Sequence, residues 1–296
     1  MSWQMSAIAL YLRLTRKRRY GTASGAQRIL TEPKTPSAPP SALTRRFPVI
    51  RNVVGGFVVY VVRSGGAPGA PSPETVIYLH GGAYVGEIQK QHWSLIANIA
   101  AEVGVDVWVP IYGLAPKHHA ADAIALMHEV LYDASSYGPT YLMGDSAGGG
   151  LALASTLSWQ QTGGVPPAGL TLIAPWLDAG LRNPGIAAVE PRDPWLSTPG
   201  LHVMARAWAA DIPLDDPRVS PLFGDLSIVP QIDVYVGDRD ITAPDCRLLH
   251  DKAPAGRVRY HEARGGVHVY PLLPTPEGRA ARREMLENVK SAIARV

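Results

Sequence analysis

The segment Gly144-Asp145-Ser146-Ala147-Gly148 places a serine between two glycines, in a pattern that can make a serine hydroxyl nucleophilic. A G-x-S-x-G turn between a strand and a helix holds the serine in a sharp, strained bend with its hydroxyl exposed. The turn is so tight that only glycine fits at the second position before the serine and at the second position after it. The pattern also occurs by chance, so its setting matters. Here the β-prone residues 140–143 precede it and a run of small helix-forming residues follows, which favours Ser146 as a nucleophile.

A second candidate segment, His80-Gly81-Gly82-Ala83, directly follows the predicted strand Thr75–Leu79. Acyl transfer builds negative charge on the carbonyl oxygen, and backbone N–H groups must face that oxygen to stabilise it. Glycines allow the close approach. We therefore predict an oxyanion hole formed by the N–H groups of Gly81, Gly82 and Ala147. We expect His80 to brace this loop through hydrogen bonds rather than to act as an acid or base.

A serine nucleophile needs a general base. When the serine lies in a strand-turn-helix bend, the typical order along the chain is serine, then acid, then histidine. Of the nine histidines, three lie well beyond the insertion at about 185–215: His250, His261 and His268. The first falls in a predicted helix and the second in a predicted strand. His268 follows Gly265-Gly266 in a loop after the last strand, where the imidazole can reach a serine on another strand. We predict His268 as the base.

The acid that orients this histidine should follow the predicted strand Ile232–Val236, where Asp238, Asp240 and Asp245 are candidates. Asp245 suits the start of the next helix, where free N–H groups favour a carboxylate. Asp238 is close to the strand end and suits the turn. Asp240 lies between them and is the predicted acid.

The elements that must position these residues alternate between short β-branched strands and longer helices, which indicates βαβ units and a parallel sheet. An antiparallel hairpin precedes them, because two β-rich runs flank Gly55-Gly56. The predicted strands of the parallel region are Thr75–Leu79, Val105–Val109, Thr140–Met143, Leu170–Ile173, Ile232–Val236 and Val258–His261. The predicted helices are 89–103, 121–134, 148–160, 243–252 and 277–294.

Two segments interrupt this order. Residues 1–30 are weakly helical, and the proline-rich stretch 33–40 that follows cannot be helical. Residues 182–222 hold many prolines around a single helical stretch, 199–210, which we interpret as an insertion over the carboxyl edge of the sheet. We predict an N-terminal cap arm with its linker at 1–45 and a catalytic domain at 46–296 with a cap insertion at about 185–215.

The composition excludes several classes of protein. The 296 residues are 46% hydrophobic and 18% charged, which suits a large core. The single cysteine, Cys246, excludes an internal disulfide and a thiolate metal cluster, so we expect a cytoplasmic protein. We expect no signal peptide and no membrane-spanning segment. The net charge is +3, but the basic residues are concentrated at one end. Residues 1–46 hold nine basic side chains and one acidic side chain. Solvation of this segment explains that charge more simply than a nucleic-acid or membrane partner, and we expect neither.

The sequence resembles the bacterial branch of the hormone-sensitive-lipase-like esterases over about residues 75–290. The matching segments are His80-Gly81-Gly82-Ala83, Tyr112-Gly113-Leu114-Ala115-Pro116, Gly144-Asp145-Ser146-Ala147-Gly148-Gly149, Pro175-Trp176-Leu177-Asp178, Asp216-Pro217-Arg218-Val219-Ser220-Pro221-Leu222, Asp240 through Asp245, and Gly266-Val267-His268-Val269-Tyr270. The resemblance implies the α/β-hydrolase fold: an α/β architecture with a mostly parallel central sheet, helices on both faces and a helical cap. The family's acid opens its Asp-x-x-x-x-Asp segment, which falls on Asp240 here.

The resemblance also implies hydrolysis of small-molecule esters with short acyl chains, no metal or organic cofactor, and a homodimer in many members. The sequence departs from the family in two places, at Ala83 in place of a third glycine and at Lys117-His118-His119 in place of a Glu-His/Asn-Pro run. Hydrolysis of an amide, thioester or lactone uses the same residues and stays open. A non-catalytic receptor on this fold would lack the histidine, so His268 argues against it.

Overall fold

The computed structural model describes residues 1–35, 38–65 and 72–295, which form a sheet covered by helices. The eight strands are β1 Val49–Val54, β2 Phe57–Val62, β3 Thr75–Leu79, β4 Asp106–Ile111, β5 Thr140–Asp145, β6 Gly169–Ile173, β7 Ile232–Gly237 and β8 Val258–Ala263. Their order in the sheet is β1-β2-β4-β3-β5-β6-β7-β8. β2 runs antiparallel to both of its neighbours, β1 and β4, and all the other neighbouring strands are parallel. The predicted α/β architecture with a mostly parallel central sheet is confirmed.

The predicted hairpin of β1 and β2 is confirmed, with Val54 paired to Phe57 across a two-residue turn. Both turn residues have positive φ, 55° at Gly55 and 84° at Gly56. This conformation suits the right-handed twist of the strands and favours glycine. The hairpin adds two antiparallel strands to one edge of the sheet, beyond β4.

The strands at the centre of the sheet are buried along their whole length, as their continuous apolar sequences predict for strands covered on both faces. The predicted bounds differ from the structure mainly at the carboxyl ends. β5 continues to Asp145, immediately before the serine, and β7 continues to Gly237. β8 continues to Ala263. The ends of these three parallel strands therefore place Ser146, Asp240 and His268 at one edge of the sheet.

Eleven α-helices accompany the strands in the described part of the chain. They are α1 Trp3–Thr15, α2 Lys17–Tyr20, α3 Ala23–Thr31, α4 Ser41–Thr44, α5 Lys90–Asn98, α6 Ala120–Ser135, α7 Ala147–Gln161, α8 Ile186–Val189, α9 Thr198–Ala209, α10 Ala243–Lys252 and α11 Pro276–Ile293. A π-helical turn, Ile99–Val103, extends α5 to the end of the predicted helix 89–103. Short 3₁₀ turns occur at Glu190–Arg192, Pro221–Phe223, Leu226–Ile228 and Tyr270–Leu272. The short helices α4 and α8 were not predicted, because four residues carry no helical periodicity.

The N-terminal arm packs on the insertion. Helices α3 and α9 lie against each other. At Gly200 a Cβ atom would lie 1.9 Å from the carbonyl oxygen of Tyr20, so the absence of a side chain permits the contact. The Tyr20 ring meets Trp195 edge-on, with 6.2 Å between the ring centroids. The Lys17 ammonium donates hydrogen bonds to the carbonyl oxygens of Glu190, Asp193 and Leu196, and burial lowers its pKa.

Candidate active site

Ser146 lies in a strained turn between β5 and α7. Its φ of 52° and ψ of −120° fall outside the conformations that serine normally adopts. A Cβ on Gly144 would lie 2.4 Å from the carbonyl oxygen of Gly148, and a Cβ on Gly148 would lie 2.1 Å from that of Leu79. These distances explain the two glycines. The Ser146 N–H donates to Ile173 O at 2.8 Å, which ties the turn to β6.

Three side chains form a continuous hydrogen-bonded line across the strand ends. Ser146 Oγ lies 2.9 Å from His268 Nε2, and His268 Nδ1 lies 2.8 Å from Asp240 Oδ2. Because the Asp240 carboxylate accepts, the imidazole carries its proton on Nδ1 and leaves Nε2 to accept from the serine hydroxyl. The other Asp240 oxygen accepts the N–H of Thr242 at 3.0 Å. The structure thus brings together all three predicted side chains.

The environment of His268 sets its basicity. The ring is buried, and burial by itself opposes a positive charge. The charge of Asp240 and its hydrogen bond outweigh that effect, with a smaller contribution from Asp193, so the pKa of His268 is raised. A raised pKa makes Nε2 a better acceptor for the serine proton.

The other predicted candidates lie elsewhere. Asp238 Oδ1 accepts the Gly265 N–H at 2.7 Å and so fixes the adjoining turn. Asp245 is in the first turn of α10, and burial raises its pKa to about 7. His250 bonds to Val258 O, and His261 lies between Asp233 and Glu284. Neither of these histidines contacts Ser146.

The oxyanion loop differs from the prediction at one residue. The Gly81 N–H donates to Asp145 Oδ1 at 2.9 Å, so it is not free to bind an oxyanion, and the prediction for Gly81 is wrong. Throughout the described ranges, the backbone N–H groups of Gly82, Ala83 and Ala147 have no acceptor within the protein. The sequence analysis chose the first glycine of the loop, Gly81, as a donor. Nothing in the sequence reveals that the Asp145 carboxylate accepts the Gly81 N–H.

The backbone of this loop explains its residue types. Gly82 has a φ of 128°, and a Cβ there would lie 2.5 Å from the Gly86 carbonyl oxygen. Ala83 has a φ of 53°, in the left-handed region that favours glycine. A third glycine, which the resembling family has, would relieve this strain, whereas Ala83 adopts the same turn at an energetic cost.

The Asp145 side chain anchors the loop that follows β3. Its Oδ1 also accepts the Tyr78 hydroxyl at 2.7 Å, and its Oδ2 lies 3.3 Å from His92 Nε2. His92 Nδ1 accepts the Gln89 N–H, so its proton lies on Nε2 and points to the carboxylate. Burial acts to raise the pKa of Asp145, but His92 and these donors together lower it. The carboxylate is therefore ionised and anchors the Gly81 backbone.

His80 occupies the position expected of a bracing residue. Its Nδ1 lies 2.7 Å from Gly81 O, and its ring stacks on Tyr112 with 4.5 Å between centroids. The Tyr112 hydroxyl donates to His80 O at 2.6 Å. Burial, with a contribution from nearby His92, lowers the pKa of His80 to about 4, so the ring is neutral.

Asp193, in the insertion, is a residue of the site that the sequence reasoning missed. Its Oδ1 accepts the N–H groups of Trp195 and Leu196 at 2.7 and 2.8 Å, and its Oδ2 accepts that of Ile241 at 2.9 Å. The side chain is fully buried, and burial with the nearby charge of Asp240 raises its pKa to about 6. The sequence offered one signal, an aspartate two residues before a tryptophan within a proline-framed insertion.

Two tryptophans of the insertion contact residues at or beside the site. Trp195 meets the His268 ring edge-on at a centroid distance of 5.6 Å. Trp208 stacks on Tyr84, directly after Ala83, with 4.0 Å between centroids and 2° between the planes. The insertion therefore contacts both the base and the oxyanion loop.

The second departure from the family pattern has a structural role. His118 packs edge-on against Phe57, and its Cβ occupies the space beside Gly113. His119 caps α6, where its N–H donates to Asp122 Oδ2 at 2.9 Å. These contacts hold the loop before α6 against the hairpin.

The sheet, the strained serine turn and the line from Ser146 to Asp240 define a protein of the α/β-hydrolase class. The sequence profile of the α/β-hydrolase fold family matches residues 76–272. The chain therefore belongs to this family.

Relatives of known description agree with this assignment. An esterase of Acinetobacter venetianus is 32% identical over 65% of this chain and 65% of its own length. An acetyl-hydrolase of Streptomyces hygroscopicus is 31% identical over 72% of this chain and 74% of its own length. The crystal structure of an esterase from the bacterial hormone-sensitive lipase family has a TM-score of 0.79, with 24% identity and 99% of each chain covered. The sequence profile and this structure confirm the predicted α/β-hydrolase fold.

The matched regions are shorter than the relatives themselves. The chain covers less than two thirds of the Acinetobacter esterase and 45% of a triacylglycerol lipase of Mycobacterium tuberculosis. Across residues 1–35, 38–65 and 72–295, no helix has the length and apolar character needed to cross a membrane.

Proposed function

We propose that this protein hydrolyses carboxylic esters through an acyl-enzyme intermediate, with Ser146 as nucleophile, His268 as general base and Asp240 as the orienting acid. The observation that carries the proposal is the unbroken line from Asp240 Oδ2 through His268 to Ser146 Oγ, at 2.8 and 2.9 Å. The names of the relatives, esterase and acetyl-hydrolase, support ester hydrolysis.

In the first half of the reaction, Ser146 Oγ attacks the ester carbonyl while His268 Nε2 takes its proton. The imidazolium then protonates the leaving alcohol, and an acyl-serine remains. In the second half, His268 removes a proton from the water that attacks the acyl-serine, and the imidazolium then returns this proton to Ser146 Oγ as the carboxylic acid leaves. Asp240 keeps its charge throughout and stabilises each imidazolium.

The oxyanion hole of this proposal consists of the N–H groups of Gly82, Ala83 and Ala147. Within the described residues these three N–H groups have no acceptor in the protein; two lie on the loop after β3 and one at the first residue of α7, directly after Ser146. The α7 N-terminus adds a positive dipole end at the same place. Loss of one such donor costs about 10²–10³ in rate.

We further propose a preference for short acyl chains. Trp195 and Trp208 of the insertion confine the space beside His268 and the oxyanion loop. The acetyl-hydrolase name of one relative supports a small acyl group. Amides, thioesters and lactones react at the same residues, so they are the alternatives that a substrate series must separate.

The test compares p-nitrophenyl esters of increasing acyl length with matched amide, thioester and lactone substrates. We expect ester turnover that is highest for the shortest chains. In Ser146→Ala, kcat should fall by roughly 10⁶. A serine-directed phosphonate should label Ser146 in the unaltered chain. Labelling of a different serine, or faster turnover of the amide, would refute the proposal.

A further inference from the structure

Helix α1 is apolar on two opposite faces. The inward face packs into the core through Met5, Ala9 and Leu12. The outward face, here called the outward stripe, consists of Trp3, Leu10, Tyr11 and Leu14, which are 76, 59, 56 and 74% exposed. Spacings of three, four and seven residues align these side chains along one side of a helix. Because the core uses only the inward face, the outward stripe is available to a partner.

An arginine-lined cavity of about 570 Å³ adjoins the same helix. Four arginines line it: Arg13, Arg192, Arg239 and Arg264. In the described portion of the chain none of them forms an ion pair with an acidic side chain. Asp238 is the acidic residue of the lining, and its Oδ1 is bonded to the Gly265 N–H. The cavity is therefore strongly positive.

Backbone carbonyl groups hold two of these arginines in place. Arg13 Nη2 donates to Pro191 O at 3.0 Å, and Arg239 Nε donates to Arg192 O at 3.4 Å. The remaining N–H groups of each guanidinium stay free to bind an anion. Arg13 belongs to α1, so the cavity and the outward stripe form one continuous surface.

We propose that the outward stripe and the arginine cavity together dock this protein on an anionic phospholipid surface. Tryptophan, tyrosine and leucine suit the boundary between headgroups and acyl chains, and arginines suit the lipid phosphates. Stable attachment of this kind needs both an apolar and an electrostatic contribution. The surface offers both, and its helix α1 lies within residues 1–46, where nine basic side chains stand against one acidic one. The composition alone does not predict a membrane partner for this segment; the outward stripe beside the arginine cavity does.

A second copy of the chain fits this surface less well. A twofold interface pairs a patch with itself, so it would bring the arginine cavities of both copies together without compensating acids. A nucleic acid would match the arginines but would leave the outward stripe in water. Only an anionic lipid surface matches both parts.

The test is co-sedimentation of the full chain with vesicles of phosphatidylcholine alone and of an equal mixture of phosphatidylcholine and phosphatidylglycerol. We expect binding to the mixed vesicles that added salt weakens. The double variant Trp3→Ser/Leu14→Ser and the double variant Arg192→Ser/Arg264→Ser should each weaken binding by about tenfold or more. Thermal unfolding of each variant checks that the fold is kept.

Matched controls replace other exposed apolar side chains and other exposed arginines that do not belong to the outward stripe or the arginine cavity. Tyr132→Ser/Val165→Ser replaces two apolar side chains that are 70 and 66% exposed, and Arg51→Ser/Arg283→Ser replaces two exposed arginines. Both controls should bind as the unaltered chain does. The proposal is overturned if the mixed vesicles do not bind the protein, or if either test variant binds normally. A dimer in sedimentation equilibrium that Trp3→Ser/Leu14→Ser dissociates would also overturn it, in favour of a second copy.

Discussion

Asp193 and Ile241 join the insertion to the loop that carries the proposed acid. The Asp193 Oδ2 atom accepts the Ile241 N–H at 2.9 Å, and Ile241 directly follows Asp240. A second buried carboxyl group therefore lies near the proposed triad, close enough that the charge of Asp240 raises the pKa of Asp193 to about 6, in addition to the effect of burial. Movement of the insertion would move Asp240 as well.

Asp193→Asn should reduce kcat and shift the pH dependence of activity. The amide would place an N–H₂ group against a backbone N–H that now has an acceptor, which loosens the Asp240 loop. It would also remove a charge that helps to raise the pKa of His268. We expect the rising limb of the kcat profile to move to lower pH. A lower kcat with an unmoved limb would show that Asp193 acts through packing alone.

Asp240→Asn should cost far more activity than Asp238→Asn or Asp245→Asn. Only Asp240 contacts His268, whereas Asp238 bonds to a turn and Asp245 lies in α10. The corresponding change in another Ser-His-Asp triad lowers kcat about 10⁴-fold, because the imidazole adopts the wrong tautomer. Steady-state kinetics of the three amide variants measures the difference. Similar losses in all three would contradict the assignment of the acid.

Activity should rise with pH through one group, because His268 accepts the serine proton only in its neutral form. Its pKa is raised, so the neutral form predominates only above the usual histidine value of about 6.5. The midpoint of the kcat/KM profile should therefore lie on the alkaline side of that value. A midpoint well to the acid side would mean that burial, not Asp240, dominates the environment of the base.

Gly82→Ala should reduce kcat by about 10²–10³, because a Cβ at this position displaces the oxyanion loop. The Cβ would lie 2.5 Å from the Gly86 carbonyl oxygen. Gly56→Ala is the control, since Gly56 also has positive φ but has open space around it. Both variants carry the backbone strain of alanine at positive φ. A lower kcat in Gly82→Ala than in Gly56→Ala is therefore attributed to displacement of the N–H donors of the oxyanion loop. Equal kcat in the two variants would count against Gly82 as a donor.

The sequence predicted the parts of this site that depend on strand order. The order of the chain places residues that follow parallel strands at one edge, so Ser146, Asp240 and His268 could be chosen before their distances were known. Gly81 was chosen wrongly because the N–H of a loop residue can be bonded by any nearby carboxylate. Asp193 was missed for a related reason. The role of Asp193 arises from its contact with Ile241, in the loop after β7. The two residues are far apart in the sequence, so no local periodicity predicts this contact.

The arm and the insertion are predicted to form a cap that limits acyl length. Gly200 lies in α9 where a Cβ would lie 1.9 Å from the Tyr20 carbonyl oxygen, so Gly200→Ala should push the arm away from the insertion. In an unconstrained helix the same change would stabilise the protein by about 1 kcal/mol, so a loss of stability reports the arm contact. Deletion of residues 1–40 removes the contact altogether.

We expect both changes to raise kcat/KM for octanoyl relative to acetyl and butyryl esters, because a displaced arm opens the space that Trp195 and Trp208 confine. Arg206→Ala is the control, since Arg206 is exposed on the same helix as Gly200 and should leave selectivity unchanged. Water excluded by the closed cap strengthens the hydrogen bonds to the oxyanion, so an opened cap should also lower kcat for the acetyl ester. Unchanged selectivity in a folded deletion variant would show that the arm does not border the acyl site.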